Sequence, residues 1–347
     1  MARIINKGYS FNDLLIVPKY NKVLSRRDVS LQTQVTKNYK LDIPIIAANM
    51  DTICESEMAI TLGKMGGLGI IHRFLSIDEQ VKEVKKVKKH DLITAAAIGV
   101  KDIEERVKAL VKAGINILVL DVAHGHSKRT GKTLDYIKKN YPKVDVMVGN
   151  IATKDAAEYF ISKKADAIKV GIGPGAMCTT RIMTGAGIPQ ITAIMDAYEA
   201  SQNRVPICAD GGIKCPGDVV KAIGAGANSV MIGSLLAGTK ESPGKIISKN
   251  NKKYKEHRGM ASYLATVKRM QMDGKKVDKD VHVEGEMTLA PYQGPISPII
   301  NKFLGGLASG MTYTGSKTID ELRGKADFTE ITPAGYSESI AHGVIKK

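Results

Sequence analysis

Tryptophan is absent from this chain of 347 residues, and aromatic residues make up only 5% of it. So small an aromatic supply leaves little to stack on bases, which counts against a basic nucleic-acid-binding protein. Long apolar runs are missing too. None approaches the roughly 18 residues needed to cross a bilayer, and the longest candidates, such as residues 92–100, read as core strands. The opening MARIINKGYSF lacks the apolar stretch of a signal peptide, so a cytoplasmic enzyme with no membrane partner is expected. Cysteine is sparse. Cys54, Cys178, Cys208 and Cys215 form no Cys-x-x-Cys pair, and no second Cys/His cluster sits at zinc-ligand spacing. Free thiols are expected, not disulfides. Acidic residues are in deficit, 35 against 51 Lys and Arg, for a net charge of +16. The lysines lie on helical faces (82–89) or in a polar segment (249–255), which is the pattern of a solvated surface. Attraction of an anionic substrate is a by-product of that charge.

What is present is a period. Short apolar, β-rich runs recur at 43–48, 68–72, 93–99, 117–121, 145–149, 167–171, 205–209 and 229–233, each followed by a helical pattern. Their starts are 25, 25, 24, 28, 22, 38 and 24 residues apart. Runs that do not alternate with polar residues belong to a sheet buried on both faces. Eight strand-helix units close into an α/β (β/α)₈ TIM barrel, and one such domain accounts for residues 1–347. A doubly wound open sheet is disfavoured, because no Gly-x-Gly-x-x-Gly follows the first strand. The 38-residue gap holds a glycine-rich loop after strand six. A longer insertion, residues 237–298, separates strand eight from its helix, and its polar stretch 268–280 shows no clear periodicity. An active-site flap would sit there.

Catalytic groups in this fold come from the C-terminal ends of the strands. Those ends carry Asn49, Asp51, His72, Arg73, Asp121, His124, Asn150, Asp210 and Ser234. The loops after strands seven and eight, with Gly211, Gly212, Gly233 and Ser234, occupy the usual phosphate position of such barrels. Asp210 would be repelled by a phosphate and is better placed to accept from ribose hydroxyls. The loop GIGPGAMCTTRIMTGAGIPQ surrounds Cys178 with glycines, Thr179, Thr180 and Arg181, a polar and partly cationic setting for a nucleophilic thiol. Cys208, inside strand seven, reads as an inert core thiol.

That loop, together with ADGGIKCPGDVVKAIGAGANSVMIGS, LDVAHGHS, YSFNDLLIVP and LGGLASGMTYTG, closely resembles the IMP dehydrogenase/GMP reductase family over essentially the whole chain. The resemblance implies a homotetrameric barrel, a catalytic cysteine, a purine 5′-monophosphate and a nicotinamide cofactor. Regulatory CBS modules, usual after strand two in the dehydrogenases, are missing here. The Arg-Tyr pair of the dehydrogenase flap is reduced to Arg269-Met270, and the strand-one end reads IIAANMDT as in the reductases. The missing modules decide little, since some dehydrogenases lack them too, but the lost tyrosine and the strand-one end point to the reductase branch, which turns GMP into IMP and ammonia with NADPH. Carried over, the catalytic residues are Cys178, Thr180 and Glu284, with His282 the next acid-base candidate. Asp210, Gly211, Gly212, Gly233 and Ser234 would hold ribose and phosphate, while Met260, Ala261 and Ser262 would meet the base. Asp121, Ala123, His72 and Arg73 would border the cofactor, and the carbonyls of Gly173, Gly175 and Cys178 would take potassium. Ala176 and His257 depart from the serine and tyrosine that many relatives carry at a phosphate.

Overall fold

The computed structural model describes residues 2–272 and 283–341. Eight parallel strands close into a barrel. They are β1 (Ile45–Ala47), β2 (Leu68–Ile71), β3 (Ala95–Ile98), β4 (Ile117–Asp121), β5 (Asp145–Ile151), β6 (Ala167–Val170), β7 (Ile207–Asp210) and β8 (Ser229–Ile232). Each lies within an apolar run read from the sequence or overlaps it by most of its length. Nearly every strand residue is buried, because side chains on one face fill the barrel and those on the other pack against helices.

The outer layer consists of α1 (Ser56–Lys64), α2 (Ile77–Lys88), α3 (Ile103–Lys112), α4 (Lys128–Asn140) and α5 (Lys154–Ser162), each following the strand of the same number. The glycine-rich loop after β6 contains a short α6 (Thr180–Thr184) before α7 (Gln190–Ser201), and α8 (Pro216–Gly224) follows β7. Helix starts obey local chemistry. At α2, Ser76 accepts from the Glu79 amide while the Glu79 carboxylate accepts from the Ser76 amide.

The bottom of the barrel is closed by a hairpin of Thr33–Gln34 and Lys40–Leu41. Thr33 Oγ1 donates to Asn228 O (2.8 Å), and Thr36 Oγ1 donates to Asp145 Oδ2 (2.5 Å). Function is thereby left to the opposite end. There the insertion forms an antiparallel sheet of β9 (Ile247–Lys249), β10 (Lys252–Arg258) and β11 (Met287–Pro291). Helix α9 (Tyr263–Met272) leaves β10, and α10 (Ser297–Tyr313) completes the helical ring. The sequence pattern showed no period from 268 onward, yet 268–272 continue a helix, seated by the buried Ala265 and Thr266 one turn earlier. An ion pair on the buried Asp51 fastens the insertion to the barrel: Arg258 Nε donates to Asp51 Oδ2 at 3.1 Å. Among the described residues, no helix is long and apolar enough to cross a membrane.

Candidate active site

The loop after β6 is held in shape by Arg181. Its Nε donates to Ile172 O (3.0 Å) and its Nη2 to Ile188 O (2.6 Å), clasping the two ends of the loop. Gly173 lies at φ +83°, and a Cβ there would come within 2.5 Å of Arg181 Cγ, so only glycine lets the chain wrap around that stem. The cation that the sequence places beside the thiol therefore serves first as a clasp. Inside the loop the Cys178 amide donates to Gly175 O (3.0 Å), and the half-buried thiol is presented to the cavity.

From the thiol a chain of hydrogen bonds runs outward. Cys178 Sγ donates to Thr180 Oγ1 (3.1 Å), and Thr180 Oγ1 donates to Glu284 Oε2 (2.8 Å). Glu284 arrives from the insertion, 104 residues further along the chain, and backbone pairing puts it there. Thr179 N donates to Glu284 O (3.0 Å), Glu286 N to Met177 O (3.0 Å) and Glu284 N to Ala261 O (3.0 Å). Sulfur, hydroxyl and carboxylate are thus spaced for stepwise proton movement. His282 lies outside the described residues.

Because β7 and β8 are paired neighbours, the loops that leave them converge. Gly211 (φ +94°) and Gly212 (φ +84°) turn the backbone under the cavity, and a Cβ on Gly211 would lie 3.0 Å from Gly175 N. Gly233 and Ser234 line the same wall. Ser234 Oγ is 2.9 Å from His257 Nε2, and His257 Nδ1 is 3.3 Å from Thr52 Oγ1. His257 itself is buried behind Ser234, and that burial, opposed by Asp51, holds its pKa below the ordinary histidine value.

These walls enclose a cavity of about 850 Å³. Cys178, Thr180 and Glu284 border it together with Asp210, Met260 and Ala261. Arg73, Asp121 and Ala123 also line the cavity, as do Lys101 and Arg106. Arg73 Nε is buried without a hydrogen-bond partner, 3.6 Å from Asp121 Oδ2. A buried Nε with no hydrogen-bond partner, on a guanidinium ion-paired to a carboxylate at the cavity wall, fits a ligand carrying both ribose and phosphate, as a nicotinamide dinucleotide does. The carbonyls of Gly173, Gly175 and Cys178, expected to take potassium, are neutral oxygens on the loop that Arg181 clasps, and that of Gly175 already accepts from the Cys178 amide.

Two expected site residues face elsewhere. His72 is fully buried. Its Nε2 pairs with Glu55 Oε1 (3.1 Å), its Nδ1 accepts from the Phe74 amide (3.1 Å), and it does not reach the cavity. Standing one residue past the end of β2, it points into the helix layer, and Arg73 takes the inward position. Ser262 is buried where α9 begins and lies off the cavity wall, its amide bonded to Gly259 O (3.0 Å). Conversely, the structure adds Lys169 to the site. It reaches the cavity from inside β6, and a lysine within the run Ala-Ile-Lys-Val was its signal. Arg269 and Met270 of α9 also line the wall.

A closed parallel barrel with a cysteine loop, glycine turns after its last two strands and an insertion at its C-terminal face has the architecture of a barrel enzyme. The IMP dehydrogenase / GMP reductase domain model matches residues 8–342. The chain is 42% identical to the inosine-5′-monophosphate dehydrogenase of Borreliella burgdorferi, over 99% of this chain and 98% of that protein. It is 42% identical to that of Cryptosporidium parvum, over 98% and 96% respectively. Among solved structures, a cysteine-to-alanine variant of GMP reductase from Trypanosoma brucei, in complex with guanosine 5′-monophosphate, superposes with a TM-score of 0.94. That match has 30% identity and covers 98% of this chain and 99% of the other. The chain belongs to the IMP dehydrogenase/GMP reductase family, oxidoreductases of purine metabolism that use a nicotinamide cofactor.

Proposed function

We propose that this chain is a GMP reductase, working as a homotetramer in the cytoplasm, that converts GMP and NADPH into IMP, NADP⁺ and ammonia. The observation that carries this reading is the Cys178–Thr180–Glu284 chain, because expelling an amine requires a proton delivered beside the nucleophile. Asp210 holds the ribose, and Gly211, Gly212, Gly233 and Ser234 hold the phosphate. Met260 and Ala261 face the base. Cys178 attacks the 2-carbon of GMP, forming a carbon–sulfur bond. The bond to the 2-amino group breaks, and the proton that the thiol gives up leaves with it as ammonia by way of Thr180 and Glu284. Asp121, Ala123 and Arg73 hold the cofactor, which supplies a hydride to that carbon when bound. The carbon–sulfur bond then breaks, IMP departs and the thiolate takes up a proton.

A second reading, oxidation of IMP with NAD⁺, is favoured by the names of the relatives at 42% identity and by Arg269 on the cavity wall. Against it stands Met270, where a dehydrogenase flap places the tyrosine of its water-activating pair. Purified protein given GMP with NADPH, and separately IMP with NAD⁺, separates the two. Loss of nicotinamide absorbance in the first mixture and none gained in the second is expected. The opposite pattern identifies a dehydrogenase.

A further inference from the structure

Lys169 is a lysine where the fold asks for an apolar residue. Its neighbours on β6 are fully buried, and its own side chain is only 2% exposed. The ammonium lies 2.9 Å from Asp121 Oδ1, 2.7 Å from Asp210 Oδ2 and in contact with Asn150 Oδ1. Its three protons are thereby spent on three side chains from β4, β7 and β5, and none remains for a ligand. Asn150 reinforces the array, its Nδ2 donating to Asp210 Oδ2 (2.9 Å) and to Gly171 O (2.6 Å), the first residue of the cysteine loop. Two donors therefore occupy one oxygen of Asp210, which leaves Oδ1 for the cavity.

We propose that Lys169 is a positioning residue that joins the two nucleotide-holding carboxylates, Asp210 on the substrate side and Asp121 on the cofactor side, into one rigid unit. The proposal rests on the ribose and cofactor roles given above to Asp210 and Asp121. Its physical basis is charge. A buried ammonium is costly alone, as is each half-buried carboxylate, and the three together satisfy one another. Burial pulls the Lys169 pKa down, but Asp121 and Asp210 more than offset it and hold it above the ordinary lysine value. Burial likewise pushes Asp121 up, while Lys169, Arg73 and a hydrogen bond from Asn49 hold it below the ordinary carboxylate value. Cys208, also facing this array from β7, is pushed up to about 12 by burial and stays a neutral thiol.

Replacing the ammonium by a neutral group of similar length leaves two half-buried carboxylates that compete for one proton. In Lys169→Met, that proton occupies an oxygen needed by a ribose hydroxyl. Calorimetry with GMP and with IMP, across about pH 6.5 to 8.5, reads the effect whichever reaction the enzyme runs. The Lys169→Met dissociation constant should exceed the native one by roughly tenfold or more at the acid end, and the ratio should shrink as pH rises and the proton leaves. The double variant Asp121→Asn/Lys169→Met removes the competition but not the loss of the anchor, so its purine-nucleotide affinity should lose the pH dependence yet stay below native by about threefold or more at every pH. NADP(H) affinity stays weak in both. Should Lys169→Met fail to fold, the double variant, whose formal charge equals that of the native array, still reads the loss of the anchor. Native-like affinity in either variant overturns the positioning role. If the native protein binds neither GMP nor IMP, the functional reading itself fails.

Discussion

Two parts of this cavity are built on opposite plans. Around Lys169, charged groups on barrel strands interlock in a buried array that leaves few alternatives for any atom. Around Cys178, half-buried groups on a loop and on an insertion meet through one thiol–hydroxyl bond and one hydroxyl–carboxylate bond. The strand array presents fixed acceptors, as ligand binding requires. The loop array can exchange protons and is completed only when Glu284 is brought in by its backbone pairing with residues 177–179. Binding and chemistry are thus assigned to separate elements, and each should be breakable without the other.

The largest effect should come from the thiol. Cys178→Ala should lower kcat on the order of 10³-fold or more while GMP affinity stays within about threefold, checked by turnover and calorimetry. Equal losses in both would erase the division. Next, Glu284→Gln removes the acid but keeps the hydrogen bond, and ammonia release should slow by about 10²-fold, more than hydride transfer, in single-turnover measurements. Equal slowing of both steps would count against it. Gly211→Ala imposes a side chain at positive φ beside Gly175 N, and should weaken GMP binding about tenfold with kcat little changed. A fall in kcat with unchanged affinity would move Gly211 to the chemical half.

The smallest effect concerns His257, whose folded pKa is depressed by burial. The unfolded chain takes up that proton near pH 6.5, whereas the folded chain resists it, so stability is full above about pH 6.5 and falls as pH drops toward the folded value. His257→Gln should therefore lose less Tm than the native protein between about pH 7.5 and 5.5. Identical losses would contradict this.

The barrel was readable because parallel strands buried on both faces leave continuous apolar runs, and Ile117–Asp121 coincides with its run residue for residue. The cysteine loop was readable because tight turns need glycine. Side-chain direction was not, since a strand end does not declare which way it faces. His72 and Arg73 are adjacent, yet one is sealed against Glu55 and the other faces the cavity. Lys169 was hidden because a lysine in a strand reads as an interruption until its partners, 48 and 41 residues away, are seen around it. Glu284 could be placed only through the resemblance, because no local pattern pairs it with Cys178.

The most direct test follows the exocyclic nitrogen. With GMP carrying a labelled 2-amino group, one labelled ammonia should be released for each NADPH oxidised, with IMP as the nucleotide product. No ammonia and no NADPH oxidation, alongside NADH formation from IMP and NAD⁺, would contradict the assignment.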